Sequence, residues 1–474
     1  LTIALENSPI YPAPTLSFLE NSQLFRIDDT IEMVEGLRGG PNPVVSNGQP
    51  GLTTNFRLKR GGESTEASAK YTISDYGLNR IDVVASGALD DDLYYMVGGY
   101  IKSSEGIRDA GFNSEQGNQF TVNITKVFEK GELNLYTRQT DDRGTWYLPT
   151  PLNVEGIDAN YTQIGPLNRQ GTITYGPNDT AESFDFGEGR GWDGHVSGGS
   201  IKLDLGNDWQ LVDRFNLTKG EANTFGLVPN GSATTVANVA DNGESATGAV
   251  TGTVYDGDTP IQQIGRWVVL KDIEAFTNDL AVSKSWEDFD TSFGIYSAST
   301  KANDWWSIGN TAYHVLQPGG ELLDGIECNT DAQGCDWNYD ISSVGDASTF
   351  ALYATGTWYA TTDLSIDLGL RRENHEVNYS VDEDLDGKIT KALEYDETKT
   401  SWTVGANYAL NDTSGVFVRM NRGYKMPYFD DFRDNWGAYT GGNDLIQEVT
   451  QGELGYKFMN DSIQFFATAF ANEV

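Results

Sequence analysis

The sequence predicts an all-β protein: a transmembrane antiparallel β-barrel preceded by a short segment of different character. Three observations carry this. From about residue 64 onward the chain reads as strand after strand, with apolar and polar residues alternating. The connections between strands alternate between short and long. No stretch approaches the roughly 18 consecutive apolar residues that a membrane-spanning helix requires. The mean hydropathy of −0.43 fits a barrel wall, in which every second residue is polar.

The strand TDLSIDLGLR is the clearest case: Leu364, Ile366, Leu368 and Leu370 share one face, and Asp363, Ser365, Asp367 and Arg371 the other. KTSWTVGANYAL repeats it, with Trp402, Val404, Ala406 and Tyr408 opposite Lys399, Ser401, Thr403 and Asn407. In WQLVDRFNL, Asp213 falls on the apolar phase of Trp209 and Leu211, which predicts a bulge or a strand end there. Polar turns rich in Asp, Asn or Gly stand at 88–93, 129–132, 205–209, 287–290, 361–363, 410–414 and 459–462. The connections between them, at 102–115, 141–196, 220–265, 300–348, 373–397 and 423–446, are long. In an antiparallel meander every second connection lies at the same end, so tight turns fall on one side and long loops on the other, as in bacterial outer-membrane barrels. A soluble β-sandwich or propeller predicts no such asymmetry. About 15 strands of roughly 10 residues are expected.

With 69 acidic and 32 basic side chains the formal charge is −37, which removes nucleic acid as a default partner because its phosphates would be repelled. Cys328 and Cys335, in GIECNTDAQGCDWNYD, would in an oxidising compartment close a disulfide loop, Cys328–Cys335, that contributes roughly 2.5 kcal/mol. The chain opens at Leu1 without a secretory signal and stops inside the alternating run SIQFFATAFANEV, so it reads as a fragment.

The segment before the strands reads RIDDTIEMVEGLRGGPNPVVSNGQPGLTTNFRLKRGG. Through Ile31, Glu32, Val34, Glu35, Leu37, Arg38, Gly39, Pro41, Ser46, Gly48, Gly51 and Asn55 it resembles the end of the plug domain of TonB-dependent outer-membrane receptors. Gly40 is an insertion in that pattern, and Leu52 stands where a second glycine is usual. A second resemblance lies at RMNRGYKMPYFDDF, where Arg422, Gly423, Tyr424, Lys425 and Pro427 match a stretch found late in these barrels. The resemblance implies the C-terminal part of a plug over 1–62 and a barrel over 63–474, truncated at its C-terminal end. The family barrel has about 22 strands. It also implies a bacterial outer-membrane location and active import driven by TonB through the missing N-terminal region. Outer-membrane lipid and a small-molecule ligand are the further partners. By the same resemblance Glu35 and Arg38 lock the plug to the barrel.

No nucleophile elbow, HExxH or phosphate loop is present, and His195, His314 and His375 are isolated from one another, so no enzyme activity is expected. Ligand recognition is expected in the long loops through Trp146, Trp192, Trp305, Trp306, Trp337 and Trp436, with Asn47 and Gln49 at the plug tip. The competing reading of such aromatics is an interface girdle. In DEDLDGKITKALE, Asp382, Asp384 and Asp386 with Glu394 suggest a structural calcium in an EF-hand-like turn; no other cofactor is implied. Acidity makes the chain a poorer host for anionic cargo, which leans the expected cargo toward oligosaccharides. A ferric siderophore is the alternative, and a soluble carbohydrate-binding β-protein is the contrasting class.

Overall fold

A backbone that crosses lipid must pair its own N–H and C=O groups, and a long antiparallel ladder does so. The computed structural model describes residues 1–474 except 13–15, 20, 46–47, 153, 156, 159, 241–242 and 327–337. Strands β1 (Thr2–Leu5), β2 (Ser8–Pro9), β3 (Ile31–Arg38) and β4 (Leu52–Leu58) make a small sheet in the order β2-β1-β4-β3. The wall then opens with β5 (Glu66–Ile73), β6 (Asn79–Asp90), β7 (Leu93–Ser104), β8 (Glu115–Phe128) and β9 (Gly131–Gly144). The next connection folds a hairpin, β10 (Gln170–Tyr175) and β11 (Thr180–Asp185). The wall continues through β12 (Arg190–Gly206) and β13 (Trp209–Thr235), and β14 (Ser245–Gly248) and β15 (Val254–Asp256) lie in the connection after it. Wall strands β16 (Pro260–Ser285) and β17 (Phe289–Val315) are followed by loop strand β18 (Leu323–Asp324). The wall ends with β19 (Tyr339–Tyr359), β20 (Leu364–Glu383), β21 (Ile389–Asn411), β22 (Ser414–Lys425), β23 (Gln447–Met459) and β24 (Gln464–Glu473). Two short helices, α1 (Phe429–Asp434) and α2 (Trp436–Thr440), occupy the connection between β22 and β23.

All wall strands belong to one 15-stranded sheet in sequence order, paired antiparallel throughout. The expected strand count is observed, and so is the turn asymmetry except at 373–397, where β20 runs to Glu383 and β21 starts at Ile389, so the expected long loop is a short turn at 384–388. Leu368 and Leu370 stand half-exposed outward with Phe350, Leu352, Val404, Val418 and Leu454, while Arg371, Ser401 and Thr403 between them are buried inward. Such a contiguous apolar belt on one phase of every strand is what a lipid-facing wall presents.

Strand lengths depart from expectation. β13 and β17 each run 27 residues and β16 runs 26, so much of what reads as loop in 220–265 and 300–348 is strand. The reason is chemical: above the belt the outward residues of β13 become Lys219 and Glu221, so the apolar phase ends while the hydrogen-bonded ladder continues. No bulge or strand end occurs at Asp213. It pairs in register with Ile201 and Leu280, faces outward, and accepts a 2.7 Å hydrogen bond from the Asn278 side chain of the adjacent strand. One amide donor thus replaces the bend as the answer to a carboxylate on the lipid-facing phase. The double variant Asp213→Leu/Asn278→Leu is expected to stabilise the barrel by roughly 1 kcal/mol in urea unfolding from lipid vesicles, because an apolar pair removes the desolvation of the carboxylate.

Candidate functional site

The small sheet sits against the inner wall through buried charge. Asp28, just ahead of β3, pairs with Arg138 of β9 at 3.3 Å, and both side chains are essentially without solvent exposure. Gln119 of β8 donates to the same carboxylate at 2.6 Å, and the Arg138 guanidinium lies 4.7 Å from the Phe25 ring centroid. Next to this pair, Arg26 bonds Asp142 at 2.7 Å, and Asp142 also accepts from Tyr100 at 2.6 Å. Arg60 bridges Glu6 of the small sheet and Glu132 of the wall. These are groups that low dielectric makes expensive to leave alone, so each fixes the position of the next.

Glu35 accepts from Asn55 at 2.6 Å and from Arg57 at 3.1 Å, both on β4, so it ties β3 to its neighbour within the plug sheet. The hydrogen bond from Asn55 holds its carboxyl below the usual range against some desolvation, and Arg57 adds to that. Arg38 does reach the wall: its guanidinium lies 5.5 Å from the ring centroid of Phe470 on β24. The contacts that join Asp28 and Arg26 to the wall were missed, although Gln119, Arg138 and Asp142 all stand on the inward phase of their strands.

A second cluster forms around the turn at 16–19. The turn Leu16–Leu19 is closed by a 3.0 Å backbone hydrogen bond, and Phe18 at its third position has φ +59°. A non-glycine residue in this left-handed region costs roughly 1–2 kcal/mol. The Phe18 ring stands edge-on to Trp306 at 5.1 Å, Trp267 at 5.6 Å and Trp146 at 6.3 Å. Thr224 of β13 donates to the Phe18 carbonyl at 2.9 Å, Ser17 N–H donates to Asp430 of α1, and Arg433 donates to the Ser17 hydroxyl at 3.3 Å. Arg433 and Lys271 both lie over the Trp306 ring, at 4.1 and 5.0 Å. Each has a carboxylate partner, Asp430 at 2.6 Å and Asp304 at 2.5 Å. Helix α1 is itself folded inward: Tyr428, Phe429 and Phe432 are buried, and the His375 ring contacts the Pro427 carbonyl at 3.1 Å.

The expected aromatic set therefore separates. Trp306 and Trp146 meet the turn at 16–19. Trp305 lies on the opposite wall face, packed on Tyr175 at 4.9 Å and Phe184 at 6.4 Å of the β10–β11 hairpin. Trp192 is fully buried in the wall, and Trp436 is half-buried beside Tyr439 at 6.1 Å. Gln49 is buried, its carbonyl accepting from Asn42 at 3.0 Å. Asn47, Trp337, Cys328 and Cys335 lie outside the described residues.

The four carboxylates of the candidate calcium turn do not converge. Asp382 caps the turn by accepting from Gly387 N–H at 2.9 Å, and Asp386 pairs with Lys388 at 2.5 Å. Glu394 stands opposite Asn378 further down the ladder. Among the described residues no group of three or more such side chains has metal-holding geometry.

Beyond the belt, the long connections have their own order. Strands β15, β14 and β18 form a sheet around buried Glu321. Its carboxylate accepts from Val250 N–H at 2.9 Å, Thr251 N–H at 2.6 Å, the Thr251 hydroxyl at 2.7 Å and Tyr255 at 3.1 Å. Burial alone would raise its pKa, and these bonds outweigh burial and hold it below the usual range.

A long antiparallel wall with an apolar outward belt, and a separate small sheet held on its inner side by buried ion pairs, is the architecture of a β-barrel with a segment folded inside it. Residues 46–474 match the family model described as TonB dependent receptor-like, beta-barrel, and the chain belongs to that family. No curated protein matches. Among solved structures, the ferric yersiniabactin uptake receptor FyuA from Yersinia pestis is similar at TM-score 0.65 and 14% identity, over 99% of this chain and 62% of that one. The unliganded ferric citrate transporter FecA is similar at TM-score 0.65 and 11% identity, over 99% and 60%. The copper transporter OprC is similar at TM-score 0.61 and 11% identity, over 99% and 63%. The chain thus spans less than two thirds of the length of these structures.

Two outcomes follow from this geometry. Arg138→Met leaves the Asp28 carboxylate buried without its cation, and is expected to cost about 3–5 kcal/mol in urea unfolding and to open the plug segment to trypsin. Glu321, with a lowered pKa in the folded state, stabilises the loop sheet above the unfolded carboxylate range, about pH 4.3, and that stability is lost as pH falls through the lower folded value. Hydrogen exchange at 245–256 should accordingly stay slow from pH 7 to 5 and speed up only in stronger acid, whereas Glu321→Gln should exchange fast at every pH.

Proposed function

We propose that this chain forms the wall and the last part of the plug of an active importer that carries a ferric chelate across the bacterial outer membrane. In this reading TonB, engaging a region ahead of the residues seen here, rearranges the plug to open a path. The observation that carries it is the arrangement of the plug: a segment fastened inside the wall by buried pairs, with an aromatic tip set among wall tryptophans. A passive pore has no use for such a stopper. The names of the solved neighbours, receptors or transporters of ferric yersiniabactin, ferric citrate and copper, support a metal-chelate cargo.

The lean toward oligosaccharides finds no support among those neighbours, and its premise weakens once the charges are located. Asp193 stands opposite Asp141 and Glu221, and Glu221 opposite Asp272, forming a row of exposed carboxylates on the outward phase of β9, β12, β13 and β16. That acidity faces away from the plug, so it does not argue against an anionic cargo in the lumen. The described inner surface at the turn 16–19 carries Lys271 and Arg433 beside their carboxylates.

The test is a titration of intrinsic tryptophan fluorescence in the full-length protein in detergent, run in parallel with ferric siderophores and with maltose-, chitin- and plant-type oligosaccharides. Saturable quenching by a ferric chelate alone is expected. Saturation by a sugar alone would overturn the cargo and restore the carbohydrate reading.

A further inference from the structure

The connection after β9 does not stay clear of the wall. Its β10–β11 hairpin lies on the outer face of the long strands, where Phe184 meets Phe225 at 5.6 Å and Trp305 at 6.4 Å, and Arg266 of β16 donates to the Thr172 carbonyl at 2.7 Å. Beside the hairpin, on the same face, is a cavity of about 520 Å³. Leu270 and Trp305, directly opposed on β16 and β17, give it an apolar tier. Two residues nearer the belt the tier is carboxylate: Asp141 faces Asp193, Asp193 faces Glu221, and Glu221 faces Asp272. Strands lie about 4.8 Å apart, and like charges directly opposed destabilise a sheet. Among the described residues none of the four has a cationic partner: Arg143, one tier above, pairs with Glu188 at 3.0 Å, and Lys219, one tier below, pairs with Glu274 at 3.3 Å. Gln139 donates to Asp193 at 3.4 Å. Repulsion repeated along one row is offset by cations from outside the chain, and the apolar tier beside it selects cations that carry an organic body. A concave site with an aromatic wall and convergent polar groups is where small molecules bind.

We propose that this cavity binds an amine-bearing saccharide, with sugar rings against Trp305 and ammonium groups along the row from Asp141 to Asp272. The C–H face of a sugar ring packs on an indole, and an ammonium group gains from the carboxylates and from the quadrupole of the indole. A bare metal ion uses only half of the site, because it has no contact to make with Leu270 and Trp305. The row crosses three strand spacings, roughly 14 Å, which is the reach of a short oligosaccharide rather than of one ring. Asp272 stands four residues from Phe276, an exposed residue of the apolar belt, which is about 13 Å along the strand. At that height the cavity faces the sugar layer above lipid as well as open solvent, so the saccharide is carried on a glycolipid of the surrounding leaflet or arrives free. In neither case is it cargo: the wall separates the cavity from the plug, and the inference stands independently of the importer reading. Occupancy relieves the repulsion across β9, β12, β13 and β16 and thereby stabilises the upper wall.

The experiment is isothermal titration calorimetry of the full-length protein in detergent with three probes. These are the glucosamine trimer, the N-acetylglucosamine trimer, which has the same rings without charge, and spermidine, which has charge without rings. Saturable binding of the glucosamine trimer, with weaker binding of the other two, is expected. The double variant Asp193→Asn/Glu221→Gln is expected to bind the glucosamine trimer about tenfold more weakly, and to melt at a higher temperature because the repulsion is gone. Trp305→Leu is expected to weaken the trimer and leave spermidine unchanged; Trp305 also packs the hairpin, so the carboxylate variant decides if this one does not fold. Ferric-chelate binding by the carboxylate variant should equal that of wild type, which keeps the fate of this site separate from that of the importer reading. A second arm places the protein in nanodiscs. A rise in melting temperature only when the glycolipid carries an amino sugar assigns the saccharide to the leaflet, and no rise there while the free trimer binds assigns a soluble source. Equal affinity for the glucosamine trimer and either other probe would overturn the proposal. So would failure of that trimer to bind, or equal binding of it by wild type and the carboxylate variant.

Discussion

Everything in this molecule depends on the requirement that a backbone in hydrocarbon satisfy its own hydrogen bonds. The 15-stranded antiparallel ladder meets it, and the ladder imposes a strict period of two on the side chains. Once lipid takes one phase, the other phase is committed to the interior whatever its chemistry. That is why Arg138, Asp142, Lys271, Asp304 and Arg371 are buried. Burial of this kind is tolerable only when charges meet partners, and the plug supplies several of them. Wall and plug are therefore energetically one object: the inward phase needs Asp28 and Arg26 as much as the plug needs a place to sit.

The same period explains what could be read from the sequence. TDLSIDLGLR and KTSWTVGANYAL were legible because both sides of the alternation are chemically distinct there. Above the belt water replaces lipid, and the outward residues become Lys219, Glu221 and Asp272. The alternation then vanishes from composition while persisting in the backbone, so 26- and 27-residue strands look like loops. Asp213 misled in the opposite direction. A single carboxylate on the apolar phase suggested a broken ladder, but its partner Asn278 lies on the next strand, and cross-strand register is invisible until the strands are aligned.

Site residues divide along the same line. Trp305 and Trp306 are neighbours in sequence and face opposite sides of the wall, one toward the β10–β11 hairpin and the other toward Phe18. Carrying the phase of outward Phe293 and Ile295 forward by ten residues would have separated them, since odd positions on that strand face out. The plug lock was harder. The resemblance pointed to Glu35 and Arg38, whereas Asp28 gains its role from Arg138 and Gln119, 110 and 91 positions away on strands whose neighbours the sequence does not name. Phe18 gave no signal at all, being one apolar residue in a segment without periodicity.

The location of charge also changes how the composition should be weighed. A net −37 suggests a surface hostile to anions, and averaged over the molecule it is. A barrel, however, has two surfaces, and charges on the outer one face solvent, whose dipoles and ions attenuate their field. The carboxylate row from Asp141 to Asp272 lies on the outside, where solvent and salt attenuate it beyond about 10 Å. Inside, a few desolvated groups act at short range: Lys271, Arg433 and their carboxylates, around the Trp306 ring. A bound molecule at the turn 16–19 experiences those groups far more strongly than the distant majority. For a protein of this architecture the sign of the interior is set by which residues occupy the inward phase, and net charge carries no information about it.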